Sequence, residues 1–123
     1  MRKPIKIAVI GCGRVAEHYK KILDSGVVSN WRMVGFFDLI SERSDSFARH
    51  FNTKAFDNYE EMLNACEPDL VLILTPSGLH YQHTKIALNH SCNVLTEKPL
   101  TMLPSEAIEL EKISKSKKLM YCV

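Results

Sequence analysis

Short apolar runs alternate with helical apolar stripes along the whole chain, and this alternation restricts the fold more than any other property of the sequence. "IKIAVI" (5–10), "RMVGFFD" (32–38), "DLVLILT" (69–75), "NVLTE" (93–97) and "LMYCV" (119–123) are rich in β-branched and aromatic residues and bounded by turn or polar residues, which predicts strands. "TKAF" (53–56) is a shorter candidate. Several of these runs lack polar alternation, as do strands covered on both faces of a parallel sheet. Between them the period becomes helical. Val15, Tyr19, Ile22 and Leu23 form one stripe, and Tyr59, Met62, Leu63 and Cys66 another. Similar stripes are Phe47, Ala48 and Phe51 on a helix from Ser41, Leu79, His83, Ile86 and Ala87 on one from Ser77, and Ala107, Leu110 and Ile113 on one from Pro104 or Ser105. Asp57 followed by Glu60 predicts a capping box. Strand, helix, strand with right-handed crossovers predicts an α/β fold: a doubly wound, mainly parallel sheet with helices on both faces.

At 123 residues the chain can bury one core. Apolar residues at 46% and charged residues at 24% exclude a disordered or fibrous chain. Lysines 112, 115, 117 and 118 cluster beside Glu109 and Glu111 and read as a solvated helix face, so no nucleic acid is expected as a partner. Cysteines 12, 66, 92 and 122 have no metal-ligand spacing, so no metal site is expected and they read as buried free thiols in a reducing compartment. No run is long enough to span a membrane and "MRKPIKIAVIGCG" lacks the build of a signal peptide, which makes a cytoplasmic location the expectation.

"GCGRVA" (11–16) matches G-x-G-x-x-G/A and directly follows a predicted strand while opening a helix, the context that gives this pattern its meaning. Gly11 allows a tight turn, Gly13 lets a pyrophosphate approach the backbone, and Ala16 keeps the helix close to the sheet. Free amides at the helix start, at Arg14 and Val15, then face the anion. A plain strand-to-helix turn needs one glycine and leaves the second unexplained. Asp38 ends the second strand where an acid can accept from both hydroxyls of an adenosine ribose. Its charge repels a 2′-phosphate, and Leu39 and Ile40 follow it in place of an arginine, so NAD is expected over NADP even with Arg43 further along. These features predict a Rossmann-like dinucleotide-binding domain over 1–123. Asp38 could otherwise cap the second helix, but Ser41 already fits that start.

"TPSGLH" (75–80) ends the third long strand at the carboxyl edge of the sheet, where open α/β folds bind ligands. Together with "GCGRVA", Asp38, "AL" at 87–88 and "NVLTEKPLT", it resembles the amino-terminal domain of the Gfo/Idh/MocA oxidoreductases, named for glucose-fructose oxidoreductase and inositol dehydrogenase. The pairing of T-P-x-x-x-H with a downstream E-K-P carries more of the likeness than the glycines, and the likeness covers essentially the whole chain.

The resemblance implies hydride transfer between a nicotinamide cofactor and a sugar, cyclitol or nucleotide-sugar hydroxyl. It implies that Thr75, Pro76 and Ser77 line the ribose and nicotinamide side, that Glu97 contacts the nicotinamide-ribose region, and that Lys98 is the catalytic residue at the reacting carbon and substrate hydroxyl. Partial desolvation there would favour proton transfer by the lysine; snorkelling to the surface beside Glu97 is its bland alternative. The Lys98-Pro99 peptide is expected to be cis. His80 is expected to order the loop or lie near the cofactor, His83 to be packed, and Tyr19 departs from the histidine that many relatives carry. Family enzymes also have a substrate-binding second domain, often with subunit contacts, which is expected to be absent from this chain. The chain alone is therefore expected to be incompetent in catalysis and the full-length protein a homo-oligomer. A non-catalytic dinucleotide-binding or sensing module is the other reading.

Overall fold

The structure is a computed structural model in which residues 3–123 are described; Met1 and Arg2, on which the signal-peptide expectation partly falls, lie outside the described residues. The strands are β1 (Ile5–Ile10), β2 (Trp31–Phe37), β3 (Ala55–Phe56), β4 (Leu70–Ile73), β5 (Asn93–Thr96) and β6 (Tyr121–Cys122). The helices are α1 (Arg14–Asp24), α2 (Ser41–His50), α3 (Tyr59–Cys66), α4 (His80–Asn89) and α5 (Pro104–Ser116), and a 3₁₀ turn at Ser77–Leu79 leads into α4. The sheet order is β3-β2-β1-β4-β5-β6, and every pairing is parallel. This is a Rossmann-like α/β fold, with the chain reversing its direction of travel across the sheet between β1 and β4.

Alternation along β1 builds two cores. Ala8 and Ile10 join Met62, Leu63, Leu88 and Leu110 on the face covered by α3, α4 and α5. Ile7 and Val9 join Ala16, Phe36, Phe47 and Ala48 on the face covered by α1 and α2. Burial of an isoleucine or leucine on either face contributes about 1.5–3 kcal/mol, so neither face of the central strands can be left to water. Among the described residues no helix is long and apolar enough to cross a membrane.

Several local expectations change. The inner stripe of α1 is Ala16, Tyr19 and Leu23, whereas Val15 and Ile22 are exposed; the small Ala16 lets the helix lie on the sheet. Ser41 begins α2 but supplies no cap: Ile40 is the N-cap residue and has no side-chain hydrogen bond. The α3 cap is shifted by one residue, with Asn58 Oδ1 accepting from the Glu61 N–H at 2.8 Å. In α4 the 3₁₀ turn changes the phase, so that His80, Thr84, Ala87 and Leu88 are the buried residues. Cys12 and Cys92 are buried free thiols as expected, but Cys66 is half-buried and Cys122 exposed. Lysines 112, 115, 117 and 118 are exposed, and Lys115 pairs with Glu111 at 2.7 Å.

Candidate functional site

The carboxyl ends of β1, β2, β4 and β5 open on one cleft of about 580 Å³. Its first wall is the glycine turn. Gly11 adopts φ +98°, and a Cβ there would lie 2.6 Å from the Leu74 carbonyl carbon and 2.7 Å from Thr75 N. The turn therefore presses on the backbone following β4, and only a residue without a side chain allows it. Gly13 differs: a Cβ there would meet nothing nearer than Arg43 Nη1 at 3.7 Å. Protein packing leaves room for a side chain at Gly13, so the space belongs to the cleft. Gly13 also precedes α1 without a side-chain cap, leaving the amides of the first turn, including Arg14 and Val15, without a side-chain partner there.

Asp38, just past β2, holds this turn in place. Its Oδ2 accepts from the Cys12 N–H at 2.7 Å and its Oδ1 from the Ile40 N–H at 2.7 Å. It thus serves the approach to α2 as well as lining the cleft. A carboxylate has about four acceptor sites, and these two bonds leave about two, as many as a ribose diol has hydroxyls. The same carboxylate lies beside Cys12, whose thiol is pushed up to about 12, by burial first and by Asp38 second, against an opposing effect of Arg43. Cys12 is therefore an unreactive filler of the turn.

The opposite wall comes from Thr75, Pro76 and Ser77 after β4 and from Glu97 and Lys98 after β5. These two strands end slightly earlier than their apolar runs predicted, but pairing persists for one residue, through Leu74 N–H to Ile10 O at 2.9 Å and Glu97 N–H to Ile73 O at 3.1 Å. The Lys98-Pro99 peptide is cis. Lys98 is exposed rather than partly desolvated, while Glu97 is half-buried. The Tyr19 hydroxyl donates to Glu97 Oε2 at 2.7 Å, tying α1 to the end of β5. Burial first, and that hydrogen bond second, push the Tyr19 hydroxyl up to about 12.

All of the residues expected to bind cofactor (Gly11, Gly13, Arg14, Val15, Asp38, Thr75, Pro76, Ser77, His80, Glu97 and Lys98) border this cleft. Sequence reading missed others that do so: Leu39 and Ile40, whose apolar side chains are exposed at 84% and 47%, together with Arg43, Leu79 and His83. His83 was expected to be packed. It is half-buried and shares a hydrogen bond with Thr75 Oγ1 at 3.0 Å. Burial, aided by the charge of His80, lowers it to about 4, so its ring is neutral near pH 7. Its position on an apolar stripe gave no sign of this, because a neutral imidazole against Tyr59 packs as an aromatic ring.

A Rossmann-type α/β domain with its cleft at the reversal point of the sheet is the class that these features define. Residues 5–123 match "Oxidoreductase family, NAD-binding Rossmann fold", and the chain belongs to this Gfo/Idh/MocA family. It is 33% identical to D-glucoside 3-dehydrogenase of Escherichia coli over 87% of this chain and 30% of that protein. It is 30% identical to dTDP-3,4-didehydro-2,6-dideoxy-alpha-D-glucose 3-reductase of Saccharopolyspora spinosa over 98% of this chain and 36% of that protein. Among solved structures, myo-inositol 2-dehydrogenase of Lactobacillus plantarum superposes with a TM-score of 0.86 at 27% identity, over 98% of this chain and 36% of that one. The chain spans about a third of the length of these relatives.

Proposed function

We propose that the chain binds NAD(H) along this cleft and is the cofactor domain of a dehydrogenase acting on a sugar or nucleotide-sugar hydroxyl. One observation carries the reading: the amides around Gly13, the Asp38 carboxylate and Lys98 border a single cleft at one rim of the sheet. The room at Gly13, the uncapped start of α1 and the spare acceptor sites of Asp38 fit a pyrophosphate flanked by an adenosine ribose. Leu39 and Ile40 offer apolar faces for the adenine on the same side. The names of the relatives support the substrate class. We further infer that a second, substrate-binding domain completes catalysis and carries the contacts of a homo-oligomer, as in the family resemblance. The free thiols support a cytoplasmic setting.

Nicotinamide, when bound, supplies the hydride acceptor or donor. The chain's own contribution is positional and acid-base. Thr75, Pro76 and Ser77, together with Glu97 oriented by Tyr19, form the wall of the nicotinamide side. The Lys98 ammonium donates a hydrogen bond to the substrate oxygen, stabilising the charge that develops there as the hydroxyl proton passes to a base on the inferred second domain. Asp38 makes NAD the preferred cofactor, because a 2′-phosphate would meet its carboxylate. Arg43, a cation that could offset this repulsion, borders the same cleft with its Nη1 beside Gly13.

Titration of NADH fluorescence tests the reading. The chain should bind NADH saturably and about tenfold more tightly than NADPH, as unfavourable contact between like charges at the surface implies. Asp38→Ala should weaken NADH about 100-fold, through loss of its ribose acceptors and of the Cys12 anchor. No saturable signal in the wild-type chain would defeat the proposal.

Tyr19→Phe should lower stability by about 1–2 kcal/mol, since the half-buried Glu97 carboxylate loses a donor. The pH dependence has a defined sign. Tyr19 is held protonated in the fold, so its contribution is full below pH 10 and is lost as pH rises from 10 towards about 12. Urea midpoints for both proteins across that range should therefore converge. A constant gap would show that the hydroxyl proton is not what binds Glu97.

A further inference from the structure

His80 is 1% exposed, and both of its ring nitrogens end on main-chain oxygens. Nδ1 lies 2.7 Å from the carbonyl oxygen of Pro99, and Nε2 lies 2.7 Å from that of Thr75. A carbonyl oxygen only accepts, whereas a neutral imidazole has one N–H and one lone pair. The neutral ring would therefore set a nitrogen lone pair against an oxygen lone pair at one of the two contacts, within a site that is 1% exposed. Doubly protonated, the ring gives a donor to each oxygen. Both distances match charge-assisted N–H···O bonds, which are about 2.7–2.9 Å, and fall below the usual mode of about 2.9–3.0 Å.

The two carbonyls belong to opposite parts of one wall. Thr75 opens the loop that follows β4, and Pro99 follows Lys98. The last backbone bond joining these segments is Glu97 N–H to Ile73 O. Past it, the His80 ring is what connects them by hydrogen bonds among the described residues. His83, one turn away on α4, is held neutral and is bonded to Thr75.

We propose that His80 is a positioning residue, held as an imidazolium, whose two N–H groups brace the loop at 75–77 against the Lys98-Pro99 segment and set the width of the nicotinamide side of the cleft. The consequence for cofactor rests on the NAD(H) reading above; the charge state of the ring does not. A glutamine cannot replace it, because its amide donors sit on one nitrogen and cannot reach both carbonyls at once.

Two measurements on the 123-residue chain test this. In ¹⁵N-histidine-labelled protein at neutral pH, both His80 ring nitrogens should show a directly bonded proton and imidazolium-type resonances. A His80 spectrum with one unprotonated ring nitrogen overturns the clamp. Calorimetric titration of His80→Gln should show NADH binding weakened about tenfold, one charge-assisted hydrogen bond's worth, with ADP binding within about twofold of wild type. ADP probes the glycine turn and Asp38 without the nicotinamide side, so equal losses for ADP and NADH would mean general disruption and would overturn the positioning role, as would unchanged NADH binding. Failure of the wild-type chain to bind NADH would overturn the cofactor reading and the clamp's part in binding, whereas the nitrogen spectrum decides the imidazolium independently.

Discussion

Gly11→Ala should destabilise the chain by about 2–5 kcal/mol, a large part of the total stability of a domain this size. Two costs combine. The φ of +98° is outside the range that alanine adopts without strain, and the new methyl would fall 2.6–2.7 Å from main-chain atoms of Leu74 and Thr75. Those atoms cannot step aside cheaply, because Leu74 N–H is bonded to Ile10 O at 2.9 Å and Gly11 N–H to Phe37 O at 2.9 Å. Relieving the clash means parting β1 from β4 in the middle of the sheet. A urea midpoint for Gly11→Ala equal to that of wild type would show that the turn is not under this constraint.

Gly13→Ala, two residues on, should have the opposite profile. The nearest atom to its added methyl is Arg43 Nη1 at 3.7 Å, and its φ of −95° suits any residue. Stability should therefore change by no more than about 0.5 kcal/mol. Binding of NADH should fall by about 30-fold or more, since the methyl occupies the space a pyrophosphate needs and overpacking costs about 1–3 kcal/mol. Denaturation and fluorescence titration on the same sample separate the two effects. A variant that binds like wild type would mean that Gly13 does not face the pyrophosphate.

These two glycines show which parts of the structure were legible in the sequence. The motif assigns the two different roles, and the structure shows the tight turn at Gly11 and open space at Gly13. The sheet was legible because Ile7, Ala8, Val9 and Ile10 are all buried, on alternate faces, and an unbroken apolar run has few other uses. Apolar character alone misled in α1. Val15 lines the cleft and Ile22 faces solvent at 42% exposure, while the contact with the sheet falls to the small Ala16; periodicity counts greasy residues without asking what they touch. At the start of α3, Asp57 and Asn58 are both capping types, and their order does not say which is used. The Tyr19-Glu97 bond joins residues 78 apart, and the two carbonyls on His80 are main-chain atoms. Neither leaves a pattern in residue types, because each depends on how strand ends converge once the sheet has closed.

The position of β1 has a consequence for how the protein is made. Of the six strands of this sheet it leaves the ribosome first, yet it lies in the interior of the sheet, between β2 and β4. Until residue 73 has emerged from the exit tunnel, one edge of β1 has no partner, and the nascent chain must shield that edge or rely on a chaperone to do so. The cleft is completed later still, when Glu97 and Lys98 appear, so cofactor cannot assist the early stages of co-translational folding.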